Sequence, residues 1–153
     1  MGKIKNLKEL EKDISRLKRK GKRIVFTNGC FDILHLGHLK ILQEAKRKGD
    51  VLIVGLNSDS SIRKIKGSKR PILTQKTRAK LLANMSQVDY VVLFNEVTPY
   101  NLIKRIMPDV LVKGGDWKRE KIVGKNLVKK VYRVKLCSGH STTRIVNKIK
   151  KSG

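Results

Sequence analysis

The sequence predicts an α/β fold with a doubly wound parallel sheet of about five strands and helices on both faces. Three observations predict it. Short apolar runs alternate with amphipathic segments along almost the whole chain. Glycines, histidines and hydroxyl residues gather just after the apolar runs. The length, 153 residues with 39% hydrophobic, suits one compact core, so a single domain over 1–153 is expected.

The elements follow in order. Asn6 reads as a helix N-cap with Glu9 as its capping-box partner at N3. Leu7, Leu10, Ile14 and Leu17 then share one face of a helix that ends near Gly21, so residues 1–21 are expected to pack as an amphipathic helix on the sheet. Strands are expected at 23–27, 51–57, 90–94, 110–113 and 131–136, and helices at 38–48, 74–85, 99–106 and 142–150. No internal repeat, low-complexity stretch or linker interrupts this alternation.

Composition narrows the setting. No apolar run reaches membrane-spanning length and no secretory segment follows Met1. Two cysteines, Cys30 and Cys137, are too few for a disulfide framework. A cytoplasmic protein without a membrane partner is expected. The formal net charge of +25 would attract polyanions. It is spread along the chain rather than gathered in a basic arm, and reads mostly as a solvated lysine shell. A nucleic-acid-binding protein is the rival reading that charge alone suggests. Aromatic residues are only 5% and no recognition module is legible, so no specific nucleic acid is expected.

In such a sheet ligands sit beyond the carboxyl ends of the strands. The segments there read NGCFDILHLGH, NSDSS, NEVTP, GGDW and CSGHSTT. His35 and His38 fall in a first helical turn, where residues three apart share a face. Gly37 between them leaves the backbone open to a ligand. With the helix dipole, the two imidazoles read as a phosphate clamp or as two unrelated surface histidines. A zinc site of His35, His38, Cys137 and His140 is the metal alternative. Against it, the cysteines read equally as small buried residues, and Leu39, Leu42 and Ala45 continue the helix as a core face. No metal ligands are therefore assigned.

Gly139 precedes Ser141, Thr142 and Thr143 at the start of the last helix. One of those hydroxyls would suffice as a cap, and the other two favour a phosphate site. Lys64, Lys66, Lys69 and Arg70 read as a basic loop after the second strand. Arg78, on the next helix, reads equally as a surface charge. Asp59 would accept ribose hydroxyls or cap a short helix after it. Gly114 and Gly115 suggest close backbone approach, and Trp117 would stack on a base or cap the core. Neither a GxGxxG fingerprint nor a P-loop is present.

These residues resemble the cytidylyltransferase-like nucleotidyltransferase family. HLGH at 35–38 after a strand and STT at 141–143 before the last helix carry the likeness. FTNGCFDILHLGH, VGLNSD, KGSKRP, VDYVVLF and PDVLVKGGDW are most similar to its D-glycero-β-D-manno-heptose 1-phosphate adenylyltransferase branch. The resemblance implies a Rossmann-like fold and transfer of AMP from ATP to the sugar phosphate, giving ADP-heptose for lipopolysaccharide and releasing pyrophosphate. By resemblance, His35 and His38 stabilise the α-phosphate and the leaving bridge. Lys66 binds triphosphate, Lys64 meets the sugar phosphate, and Ser141, Thr142 and Thr143 hold the β- and γ-phosphates. Cys30 and Phe31 line the nucleotide pocket and Arg78 faces the phosphates. Lys113, Gly114, Asp116 and Trp117 of KGGDW, together with Asp59, are expected beside the acceptor. Mg²⁺ is expected with ATP, held largely by the nucleotide. Glycerol-3-phosphate cytidylyltransferases share HxGH and STT, but typically carry an arginine and an acidic residue where this chain has 136–140. A flavin adenylyltransferase is a further alternative. The domain is fused to a sugar kinase in many bacteria. A chain of this length has no room for one, so a stand-alone domain is expected, with a homodimer left open.

Overall fold

The structure, a computed structural model, describes residues 1–115, 118–135 and 141–153. Its strands are β1 (Lys3–Ile4), β2 (Ile24–Gly29), β3 (Val51–Asn57), β4 (Tyr90–Phe94), β5 (Val110–Gly114) and β6 (Lys130–Val134). Its helices are α1 (Leu7–Arg19), α2 (Leu36–Lys46), α3 (Asp59–Lys66), α4 (Gln75–Ala83), α5 (Tyr100–Ile106) and α6 (Thr142–Ser152). The strands form one parallel sheet in the order β1-β4-β3-β2-β5-β6.

The central strand explains the layering. Every residue of β3, VLIVGLN, is buried, as a parallel strand covered on both faces requires. Alternate residues point to opposite faces. Leu52, Val54 and Leu56 join Val25 beneath Leu42 and Ala45 of α2 and Ala79 and Leu82 of α4. Val51 and Ile53 join Ile24 and Phe26 beneath Leu10 and Ile14 of α1 and Leu102, Ile103 and Ile106 of α5. The predicted doubly wound sheet is thus present.

The sheet has six strands rather than about five. The extra one, β1, pairs Lys3 with Tyr90 and Ile4 with Val91 at the edge, and two residues are too few to show a period. It is held from its own start. The Gly2 N–H donates to the Ala83 carbonyl at 2.7 Å, and a Cβ on Gly2 would lie 2.6 Å from the Val88 carbonyl oxygen. The helix at the start of the chain forms as expected, with Asn6 and Glu9 completing its capping box. The segment taken as a basic loop is different: Lys64 and Lys66 stand in the last turn of α3, which Ser58, not Asp59, caps. Among the described residues no helix is long and apolar enough to cross a membrane.

The chain leaves β2 through α2 toward β3, and leaves β4 through α5 toward β5, on the other side of β2. The crevice between the carboxyl ends of β2 and β5 is therefore the switch point of the sheet.

Candidate active site

His35 occupies the N-cap of α2 with extended backbone, φ −141° and ψ 176°. Its Nδ1 accepts from the Gly37 N–H at 3.1 Å, and His38 Nδ1 accepts from the His35 N–H at 3.3 Å. Two imidazoles thus perform the reciprocal capping usually given to Ser or Thr and Glu. Because each Nδ1 accepts, the proton of each neutral ring belongs on Nε2, which points away from the helix backbone. The rings stack at 3.8 Å with 28° between planes, and the Phe31 ring lies 5.1 Å from His38. Burial, then the charges of His35 and Lys66, lower the His38 pKa to about 4. At neutral pH, His38 is an uncharged Nε2–H donor.

The loop that presents these rings is fastened from behind. Phe31 is buried with φ 45°, an uncommon conformation for a bulky residue. Gly29 makes room for it, since a Cβ there would lie 3.0 Å from the Phe31 ring. Asp32, 2% exposed, accepts from the N–H groups of Ile72 and Leu73 at 2.8 and 2.9 Å. Arg78 is 0% exposed. Its guanidinium donates to the carbonyls of Leu73 (3.0 Å), Cys30 (2.8 Å) and Asn57 (2.7 Å), and to Asp59 Oδ1 (2.7 Å). These bonds correct the surface reading of Arg78: it is buried and ties the ends of β2 and β3 to α4. They also engage Asp59, which the sequence offered to a ribose. Sequence reasoning passed over Asp32 altogether, although a carboxylate between Phe31 and Ile33 was a signal that something must satisfy it.

The three hydroxyls of STT divide their work. Ser141 Oγ caps α6 by accepting from the Arg144 N–H at 3.1 Å. Buried Thr142 donates to the Ile33 carbonyl at 3.4 Å, joining α6 to the loop before α2. Thr143 is exposed. Two of the three therefore have structural partners.

At the switch point, where β2 and β5 end, a cavity of about 280 Å³ opens. Asn28, Cys30, Asn57 and Lys113 line it, with Ile65, Val97 and Val123 exposed at its rim. Burial pushes the Cys30 thiol up and the Lys113 ammonium down, while the Lys66 charge holds Cys30 back. The Lys66 charge thus acts on both Cys30 and His38. Lys64, two residues away on the same helix, faces another direction. Gly114 ends β5 in register with Val134. Asp116, Trp117, Cys137, Gly139 and His140 lie outside the described residues. The structure therefore brings His35, Gly37, His38 and Phe31 together, bonds Arg78 to the Cys30 carbonyl and Thr142 to the Ile33 carbonyl of the same loop, and lines one cavity with Cys30 and Lys113, while Ser141 caps α6 beside Thr142.

Of the four residues of the zinc alternative, His35 and His38 are among the described residues, and the Nδ1 of each accepts from a backbone N–H. The neighbouring carboxylates, Asp32 and Asp59, are committed to protein N–H groups and to Arg78. Among the described residues no cluster of three or more His, Cys, Asp or Glu forms.

Comparison with known proteins gives the same picture. Residues 26–148 match the model of the cytidylyltransferase-like family. The chain is 56% identical over 147 residues to the bifunctional protein HldE of a Nitratiruptor species, covering 96% of this chain and 32% of that protein. It is 52% identical over 143 residues to HldE of Helicobacter pylori, covering 94% of this chain and 31% of that one. The chain thus spans about a third of the length of these relatives. Among solved structures, the lipopolysaccharide core biosynthesis protein of Thermoplasma volcanium superposes with a TM-score of 0.66 at 31% identity, over 77% of this chain and 100% of that one. The pantoate–β-alanine ligase of Francisella tularensis shares the fold, with a TM-score of 0.68 at 17% identity over 99% of this chain and 78% of that one. A capped pair of imidazoles at the switch point of a parallel sheet, and a family match running from β2 into α6, place the chain in the cytidylyltransferase-like nucleotidyltransferase family.

Proposed function

We propose that the chain is an adenylyltransferase that moves AMP from ATP to D-glycero-β-D-manno-heptose 1-phosphate, giving ADP-heptose and pyrophosphate. The observation that carries the reading is the pair of Nε2–H donors fixed at the N-terminus of α2. The KGGDW and NGCFDILH segments, together with the likeness to HldE proteins, support the choice of acceptor and base.

The chemistry asks little of a nucleophile. An oxygen of the acceptor phosphate, already an anion, attacks the α-phosphorus in line. The bond from that phosphorus to the bridging oxygen breaks, and pyrophosphate leaves with the electron pair. Catalysis is then positioning and neutralisation of charge on the five-coordinate centre. His35 and His38 donate through Nε2 to oxygens that gain charge, and the helix dipole adds its field. Lys66 meets the triphosphate. The nucleotide occupies the cavity that Cys30 lines, whose apolar rim excludes water, and Lys113 of KGGDW meets the acceptor. The neighbouring carboxylates are already engaged, so Mg²⁺ would be held largely by the nucleotide and would supply charge screening for its phosphates. Such substrate pools belong to the cytoplasm.

The test crosses ATP, CTP, GTP and UTP with heptose 1-phosphate, glycerol 3-phosphate and flavin mononucleotide, measuring pyrophosphate release. ATP with the heptose phosphate is expected to be fastest. Faster turnover with CTP and glycerol 3-phosphate would replace the acceptor assignment and leave the site chemistry standing.

A further inference from the structure

The opposite end of the sheet carries a second concentration of charge. Where β2, β5 and β6 begin, a cavity of about 550 Å³ opens beneath the end of α1. Lys18 and Lys22 line it from the helix side, and Arg23, Lys129 and Lys130 from the strand side. Among the described residues Asp109 is the single carboxylate in the lining, and its Oδ2 already accepts from the Ile24 N–H at 2.8 Å. The strand register explains the crowding: Val110 stands beside both Val25 and Lys130, so the residues just before these strands share one rim.

Lys18 has a structural task, because its Nζ donates to the carbonyls of Ile106 and Met107 at the end of α5, at 3.1 and 2.7 Å. Those bonds hold the ammonium in place without neutralising it. Lys22, Arg23, Lys129 and Lys130 are exposed, and among the described residues none of them forms an ion pair. Five cations around one cavity repel one another, and the protein itself supplies one engaged carboxylate in return.

We propose that this cavity binds a compact phosphate-type polyanion, at a site separate from the nucleotide site. The chemistry of the wall selects the class. Among the described residues no aromatic or aliphatic side chain lines it, so neither a nucleobase nor the apolar part of a peptide finds a partner there. A continuous nucleic acid strand needs an extended stripe, whereas this charge faces a concavity of small-molecule size. β2, six residues long, separates this rim from the histidines by about 20 Å. An anion bound only by the folded state raises stability by mass action.

The probe is inorganic tripolyphosphate, titrated calorimetrically in about 0.15 M salt, where diffuse surface attraction is screened within about 8 Å. The protein carries His35→Ala and His38→Ala, so that the nucleotide site is disabled. Saturable one-to-one binding is expected, weakened about tenfold or more when Lys22→Gln, Lys129→Gln and Lys130→Gln are added. The three added substitutions are also expected to raise Tm without anion, because repulsion is relieved, and to abolish the further rise that tripolyphosphate gives. A single Lys129→Glu variant repeats the comparison with one exposed change. Unchanged affinity after these substitutions would overturn the proposal, as would binding that never saturates. Tighter, lysine-dependent capture of a single-stranded oligonucleotide that displaces the probe would overturn it in favour of a nucleic-acid surface. None of these outcomes depends on which acceptor the enzyme uses.

Discussion

Helices α2 and α6 begin near each other, joined by the bond from Thr142 to the Ile33 carbonyl, and their N-termini are capped by different chemistry. At α6 the Ser141 hydroxyl accepts from the Arg144 N–H, and Thr142 is engaged with the Ile33 carbonyl. At α2 an imidazole accepts through Nδ1, and its ring carries a second nitrogen on the opposite side. A hydroxyl cap closes a helix. An imidazole cap closes it with one ring nitrogen and keeps a second, so in the proposed reaction one side chain would serve both folding and catalysis. Holding Nδ1 against a backbone N–H also settles which nitrogen carries the proton, without a carboxylate to orient the ring.

The largest effect should come from separating those two tasks at α2. His38→Ala removes a preorganised donor and should lower kcat about 10²–10³-fold, with a folded protein by circular dichroism. His35→Asn is the sharper variant, because asparagine is a good N-cap that lacks the outward donor. Its Tm should stay near that of the wild type while kcat falls as it does for His38→Ala. Near-normal turnover in His35→Asn would mean that the ring serves only the cap.

Acid should unfasten α2 and leave α6 untouched. Burial lowers the folded pKa of His38 to about 4 from an ordinary 6.5, so the unfolded chain binds the extra proton more readily. The sign follows from linkage: the neutral-ring contribution is complete above about pH 6.5 and is lost as pH falls through about 4. Denaturant melts of wild type and His38→Gln should therefore converge as pH falls through this window. Nitrogen NMR should report the Nε2–H tautomer of His38 at pH 7, and an Nδ1–H tautomer there would break the comparison.

Smaller effects belong to α6. Ser141→Ala should destabilise the protein by about 1 kcal/mol through the lost cap, read from urea melts. Thr143→Ala should leave stability unchanged and raise the KM for ATP a few-fold, because its exposed hydroxyl has no hydrogen-bond partner among the described residues. A KM unchanged in both variants would remove α6 from nucleotide binding.

The sequence made the central architecture legible because burial on both faces leaves a long apolar signature. The runs at Val51–Asn57 and Tyr90–Phe94 emerge with the expected bounds. Where burial is slight the signal fades. In α3 only Ser61 and Ile62 are buried, so a polar, lysine-rich helix read as a loop. Side-chain roles were harder still. The two histidines were legible from position, but their capping was not, since imidazole is a rare cap. Arg78 misled for a related reason: composition says that an arginine among 37 basic residues faces solvent, and only the fold turns three backbone carbonyls and a carboxylate toward it. The hydroxyls of STT were counted correctly, yet a count does not reveal which of them the backbone claims.

The attachment of β1 has a practical meaning for anyone who joins this protein to something else. Gly2 is wedged against the Ala83 and Val88 carbonyls, so position 2 admits no side chain, while Met1 before it is exposed. A reporter or affinity handle joined at Met1 should keep the protein's thermal tolerance as long as Gly2 is retained, and replacing Gly2 should lower it. At the other terminus, α6 runs out to exposed residues, and a handle there would prolong a helix already facing water. Biosensors and immobilised catalysts made from this chain can be tethered at either end, provided the glycine at position 2 stays.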